Sequence, residues 1–163
     1  MKQQYDSSKT SLNQVSAVYK QFPGLFPPGT RVLDYGGGKY DKARDYMAAK
    51  GVDVQVYDPF NRSKTHNDRV MKEMRKRPDV IVCSNVLNVI AEDDVIRDVV
   101  GRIRRLCKSS TVVIFLIHEG KGNGIGAPTS RGYQRNAKAQ DYARFMTPFG
   151  KSLRKGRFYI CTV

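Results

Sequence analysis

Eight consecutive residues, Asp34-Tyr35-Gly36-Gly37-Gly38-Lys39-Tyr40-Asp41, join an apolar stretch to a helical pattern. Three glycines let a backbone turn sharply and let a ligand approach it closely. The helix N-terminus beyond them would offer free N–H groups to that ligand. A tight strand-to-helix turn would use the same glycines, so the triplet alone leaves both readings open. The next apolar stretch ends in Tyr57-Asp58, and Asp58 lies twenty residues beyond Gly38. A carboxylate so placed can accept hydrogen bonds from both ribose hydroxyls of a nucleoside. Asp58 precedes Pro59 and could instead cap the following turn. Loop, spacing and carboxylate together favour a nucleoside cofactor.

Other reactive types lie further along. His118 and Glu119 follow a third apolar stretch. A histidine titrates near neutrality and could take a proton from a nucleophile, or be an ordinary loop residue. Arg131, Tyr133, Gln134, Arg135 and Asn136 follow a glycine-rich stretch. They could stack on a base and bind phosphate, or form a solvated basic loop. Tyr35 and Tyr40 would stack near a ligand or pack beneath the loop. The two histidines, His66 and His118, and the three cysteines, Cys83, Cys107 and Cys161, show no metal spacing. The cysteines sit singly in apolar runs, as buried reduced thiols do.

These groups need a scaffold that brings them to one edge. Residues 11–22 carry Leu12, Val15, Val18, Tyr19 and Phe22 at helical spacing, with Ser11 as N-cap. Phe22 to Thr30 is rich in Pro and Gly and breaks that helix. Strands are expected over 31–35, 52–57, 79–83 and 111–117, with helices over 41–50, 66–76 and 93–108 between them. Gly120 to Gly132 reads as a mobile loop, 140–149 as a short helix, and 151–163 as a hairpin or edge strand. Alternating strands and helices imply a Rossmann-like, mainly parallel sheet with helices on both faces and an antiparallel C-terminal edge. Ligands bind such sheets beyond the carboxyl ends of the strands, where every group named above falls.

The chain has 163 residues, which suits one domain. It divides into an N-terminal helix and lead-in (1–29), a cofactor-binding core (30–119) and a basic substrate-side tail (120–163). No apolar run approaches the roughly 20 residues of a membrane helix, and the polar N-terminus lacks a signal-peptide core, so a cytoplasmic location is expected. Lys and Arg number 29 against 15 acids, a net charge of +14. The excess is concentrated in 62–77 and 121–163. Such a balance favours a nucleic-acid partner over a merely solvated surface, with an acidic protein partner as the alternative. Oligomeric state has no signature in this sequence.

VLDYGGGKYD resembles the first motif of class I S-adenosylmethionine (SAM)-dependent methyltransferases, in which an acid precedes Gly-x-Gly-x-Gly. The resemblance places Asp34, Gly36 and Gly38 around the amino-acid part of SAM and Asp58 at its ribose, with Tyr35, Gly37 and Pro59 as further cofactor-binding candidates. DVIVCSNVLNVI resembles the fourth motif, with Ser84, Asn85 and Val86 beside the cofactor. Thr30 to Glu119 carry the resemblance. It is nearest to small phage and bacterial methyltransferases bearing LDYG…YDP and VLNVI, including ones associated with DNA phosphorothioation clusters. It implies methyl transfer from SAM, leaving S-adenosylhomocysteine (SAH); the basic charge makes a nucleic acid, DNA first, the expected acceptor. His118, Glu119 and Asn85 are the candidate catalytic residues. Arg131, Tyr133, Gln134, Arg135 and Asn136 are the candidate substrate residues. Small-molecule methylation and a non-catalytic binding module are the alternatives.

Two departures stand out. Tyr40 replaces the third glycine. The connection from Asp58 to Asp79 holds only one helix, so one strand of the usual sheet would be absent. Ser84-Asn85-Val86-Leu87 also lacks the Pro-Pro-aromatic grip of amino-directed base methyltransferases, and no Pro-Cys pair supplies a thiolate nucleophile.

Overall fold

The apolar strands read from the sequence assemble into one sheet. The computed structural model describes residues 3–163. Its elements are α1 (Ala17–Gln21), β1 (Arg31–Tyr35), α2 (Lys42–Ala48), β2 (Asp53–Tyr57), α3 (Lys64–Met74), β3 (Val80–Ser84) and α4 (Asp93–Leu106). β4 (Val112–Leu116), β5 (Ala127–Thr129), β6 (Gly132–Gln134), β7 (Lys151–Lys155) and β8 (Phe158–Thr162) follow. The main sheet runs β2-β1-β3-β4-β8-β7, and β5-β6 form a small separate hairpin. β1 to β4 are parallel, while β8 runs antiparallel to β4 and β7 antiparallel to β8.

β3 is buried from Val80 to Cys83, and β1 from Val32 to Tyr35. Such runs need cover on both faces. On one face α3 and α4 supply Val70, Met74, Ile96, Val100 and Ile103, joined by Tyr142 and Phe145 of a 3-10 stretch at Ala139–Phe145. On the other, α1 and α2 supply Val18, Tyr19 and Met47. Only α3 connects β2 to β3, so β2 is an outer strand, as the short connection implied.

The chain order fixes where a site can form. From β1 it steps outward to β2, then crosses back past β1 to β3. That reversal leaves a crevice between the loops after β1 and after β3.

Two expectations need correction. The helix expected over 11–22 shrinks to Ala17–Gln21, capped by Ser16, whose side chain accepts from Val18 N. Ser11 is not the cap: its Oγ accepts from Lys39 N in the glycine loop, so its segment is drawn out across that loop. The stretch expected to be a mobile loop is tied down by Asn136. Its Oδ1 accepts from Lys121 N, its Nδ2 donates to Ile125 O, and its backbone carbonyl accepts from Gly124 N.

The core accounts for stability through packing. Ile103 is fully buried on the α4 stripe. Ile103→Ala should lower the unfolding free energy by about 3 kcal/mol in urea titration, from lost transfer energy plus the cavity left behind.

Candidate functional site

Gly36 opens the loop after β1 at φ +79, and its N–H donates to Tyr57 O. A Cβ there would overlap Val86 Cγ2 from the loop after β3. Only glycine lets the two loops close to this distance. At Gly37 a Cβ would stand 2.8 Å from Asp34 Cγ and 2.9 Å from Val56 Cγ1. The triplet is therefore both a tight turn and the floor of a crevice.

Asp58 holds that floor. Its Oδ2 accepts from Gly38 N (2.9 Å). Its Oδ1 accepts from Phe60 N, Asn61 N and Asn61 Nδ2. The turn-capping role is thus real, and Asp58 also lines both cavities described next. Oδ2 keeps one acceptor site beyond the bond from Gly38, since a carboxylate oxygen can accept twice.

Two cavities meet at Gly36, Asp58 and Asn85. The smaller, of about 270 Å³, is mainly apolar: Tyr35, Tyr57, Pro59, Phe60, Val86, Ile90 and Val99 line it, with Asp98 and Arg102 at one side. Tyr35 and Tyr57 pack with ring centroids 4.7 Å apart. The larger, of about 650 Å³, has Asp34, the glycines and Ser84 on its floor. Tyr40, His118, Arg131, Tyr133, Gln134 and Arg157 stand around it. Asn85 reaches both from a left-handed backbone (φ +58), which Asn tolerates better than most residues.

Asp34 is buried, and its Oδ2 accepts from Tyr19 OH (2.9 Å). Burial pushes its pKa up to about 6, opposed by the Tyr19 hydrogen bond and raised further by Asp58. Burial likewise raises the Cys83 thiol, which is no ready nucleophile. Cys107 and Cys161 are also free and buried.

The other candidates separate. His118 is exposed at the cavity, and its carbonyl accepts from Gln134 Nε2. Glu119 is turned away from the cavity, its Oε1 accepting from Ala139 N at 2.7 Å. Arg135 is spent on structure: its guanidinium donates to Ile90 O, Ala91 O and the Asp93 carboxylate. Asn136 braces the glycine-rich turns. Among the substrate candidates, Arg131, Tyr133 and Gln134 reach the cavity.

Sequence reasoning missed the strap before α1. Thr10, Ser11, Gln14 and Ser16 line the larger cavity, Tyr5 stacks on Tyr133 at 4.8 Å, and Ser16 Oγ meets Ser84 Oγ at 2.8 Å. It also missed Asn88, whose Nδ2 donates to Gln134 Oε1, and Arg157. The polar residues of 10–16 are the available signal, and the helical spacing of Leu12, Val15 and Val18 masks it. Among the described residues, no group of three or more His, Cys, Asp or Glu could hold a metal ion, and no helix is long and apolar enough to cross a membrane.

Residues 9–155 match the family described as "Methyltransferase domain". No curated protein matches the chain in sequence. Among solved structures the chain is similar to 1,6-didemethyltoxoflavin-N1-methyltransferase of Burkholderia thailandensis, crystallised with 1,6-didemethyltoxoflavin and SAH. There the TM-score is 0.62 at 18% identity, covering 90% of this chain and 74% of that one. A TehB-like SAM-dependent methyltransferase of Corynebacterium glutamicum gives 0.54 at 15% identity, covering 90% and 86%. A SAM-dependent methyltransferase of Aquifex aeolicus gives 0.52 at 11% identity, covering 88% and 86%. At these identities the likeness is one of fold.

Two measurements check the assignments made here. Between about pH 4 and 6 native Asp34 holds more proton than it would in the unfolded chain. Its contribution to stability therefore falls as pH rises through that window. Asp34→Asn, which can still accept from Tyr19, should gain on the wild type by up to about 3 kcal/mol between pH 4 and pH 7 in urea titrations. Arg135→Ala should lose about 2 kcal/mol by the same method, because two carbonyls and Asp93 lose their donor.

Proposed function

The chain belongs to the methyltransferase-domain family. From that premise we propose that it methylates a nucleic-acid acceptor entering at the mouth of the larger cavity. The observation that carries the reading is the paired cavity. An apolar compartment and a more polar one share Gly36, Asn85 and Asp58, at the point where the strand order reverses.

The residues present fit SAM. The apolar compartment, with Tyr57, Pro59, Phe60 and Val86, would take the purine and keep water from it. The remaining acceptor site of Asp58 would take a ribose hydroxyl. Gly36 to Gly38 and Asp34 would hold the amino-acid end, and an ammonium there would draw Asp34 toward its ionised form. Ser84, Asn85 and Val86 close the crevice from the β3 side. When bound, SAM supplies a sulfonium-borne methyl group that an acceptor lone pair displaces in line, leaving SAH.

Most of the acceleration in such a displacement comes from orientation, so this chain's residues need chiefly to position the acceptor. His118, exposed at the cavity, can take a proton from the acceptor at an imidazole nitrogen. Tyr133 offers a ring and Gln134 an amide, although Gln134 is already shared between Asn88 and His118. Asn85 stays close to the junction of the two compartments. The net charge of +14 supports an acceptor rich in phosphate.

A second reading, methylation of a small molecule, is favoured by one observation: the strap before α1 packs against Tyr133 and narrows the approach to the larger cavity. The B. thailandensis enzyme was crystallised with 1,6-didemethyltoxoflavin. Tritiated-methyl transfer to DNA, to RNA and to the small-molecule fraction of a cell extract separates these readings. SAM binding with no transfer to any of them would mark a non-catalytic binder.

The cofactor site has a direct check. Asp58→Ala should weaken SAM binding on the order of 100-fold by calorimetry, through loss of a charged acceptor. Thermal melts report the loss of the turn separately. Wild-type affinity in the folded variant would contradict the assignment.

A further inference from the structure

We infer that the β7–β8 hairpin is a phosphate track that leads single-stranded nucleic acid to the cavity, ending on Arg157 and Arg131. The inference rests on the nucleic-acid reading above and adds the surface that does the binding. β8 runs antiparallel to β4, with Phe158 opposite Leu116, and Ile117 N donates to Arg157 O. The hairpin turn at Gly156 therefore sits at the sheet edge where β1 and β3 also end. Arg157, beside that turn, lines the larger cavity, and Arg131 lines it too.

From this tip β7 runs for five residues, about 16 Å, as the outermost strand, and every residue of it is exposed. Lys151, Leu153 and Lys155 share one of its faces, and Leu153 offers an apolar surface between two cations. No Asp or Glu occurs between Tyr142 and Val163. Among the described residues, neither the hairpin cations Lys151, Arg154, Lys155 and Arg157 nor Arg131 form an ion pair. The pairs among the described residues lie elsewhere: Arg44 and Arg62 with Asp41, Arg44 with Asp45, Lys64–Asp68, Arg69–Glu73, Arg102–Asp98, Lys108–Asp79, and Arg135 and Arg144 with Asp93. The acids thus leave this surface without a counter-charge, as they also leave Lys72, Arg75 and Arg105.

Protection of an open sheet edge would account for the lysines of β7. It would not account for Arg157 and Arg131, which stand at the cavity instead. A base must also leave its duplex to reach a recessed site, which favours a single strand.

The test is fluorescence anisotropy of a labelled 12-nucleotide single strand with the intact protein and SAH, across 50–200 mM salt. Wild-type log affinity should fall linearly with log salt. Lys151→Gln/Arg154→Gln/Lys155→Gln should bind at least 10-fold more weakly at 50 mM, with a salt slope shallower by about 2. Arg131→Gln/Arg157→Gln should flatten the slope by about 1. Lys72→Gln/Arg75→Gln/Arg105→Gln, on α3, the turn after it and α4, should bind as the wild type does. Calorimetric SAM affinity should be unchanged in the hairpin variant, which shows that its fold and cofactor site are intact. The track is overturned if the wild type does not bind the strand, or if the helical variant loses as much as the hairpin variant. It is also overturned if duplex, polyglutamate or a nucleoside monophosphate binds as well as the single strand. Absence of SAM binding would sink the cofactor reading alone, since the anisotropy series is read independently of it.

Discussion

The Asp58 carboxylate sits at the junction on which the site depends. One oxygen holds Gly38 N and the other gathers Phe60 N, Asn61 N and the Asn61 amide. Asn67 secures the backbone of the same residue from α3, accepting from Asp58 N and donating to its carbonyl. A single buried side chain thus joins the loop after β1 to the turn after β2. Buried donors left without a partner cost more than a typical hydrogen bond contributes, so this junction strongly favours one loop geometry. That geometry brings Gly36 against Val86 and closes the crevice from the β3 side. The proposed cofactor site is therefore a by-product of how the sheet reverses direction, sharpened by one carboxylate.

Much of the scaffold was legible because β3 and β4 are continuous apolar runs, β2 alternates buried valines with polar residues, and α4 carries a clean buried stripe. Hydrophobic periodicity reports burial, and burial is what a parallel sheet requires. The glycine triplet and Asp58 were legible for a different reason, since their spacing reflects one strand-helix-strand unit. Polar residues were harder to place. Arg135, Asn136 and Glu119 read as functional groups, yet each satisfies backbone atoms that the tail would otherwise leave unpaired. Sequence spacing cannot distinguish a polar side chain facing a cavity from one facing a carbonyl. The strap before α1 was hidden for the same reason: Val15, Val18 and Tyr19 have helical spacing, but Ser11 and Ser16 bond to other loops and draw the chain out.

Charge and chemistry divide the molecule between them. Asp34 and Asp58 are buried at the floor of the crevice, where a cationic ligand would compensate them. Part of the excess positive charge lies at the mouth and along the outermost hairpin, and part on residues 62–77 around α3. A cationic cofactor and an anionic acceptor would thus meet fields of opposite sign within one continuous site. The missing outer strand beyond β2 leaves this arrangement intact, because neither the glycine floor nor the hairpin depends on it. Tyr40, in the place of the family's third glycine, lines the larger cavity beside the floor and adds a ring where the usual motif has open space.

The most direct measurement is a crystal structure with SAH at saturating concentration. The account predicts the purine among Tyr57, Pro59, Phe60 and Val86, a ribose hydroxyl on Asp58, and the amino-acid end between Asp34 and Gly38. SAH bound elsewhere, or both compartments empty in crystals grown with saturating ligand, would contradict it.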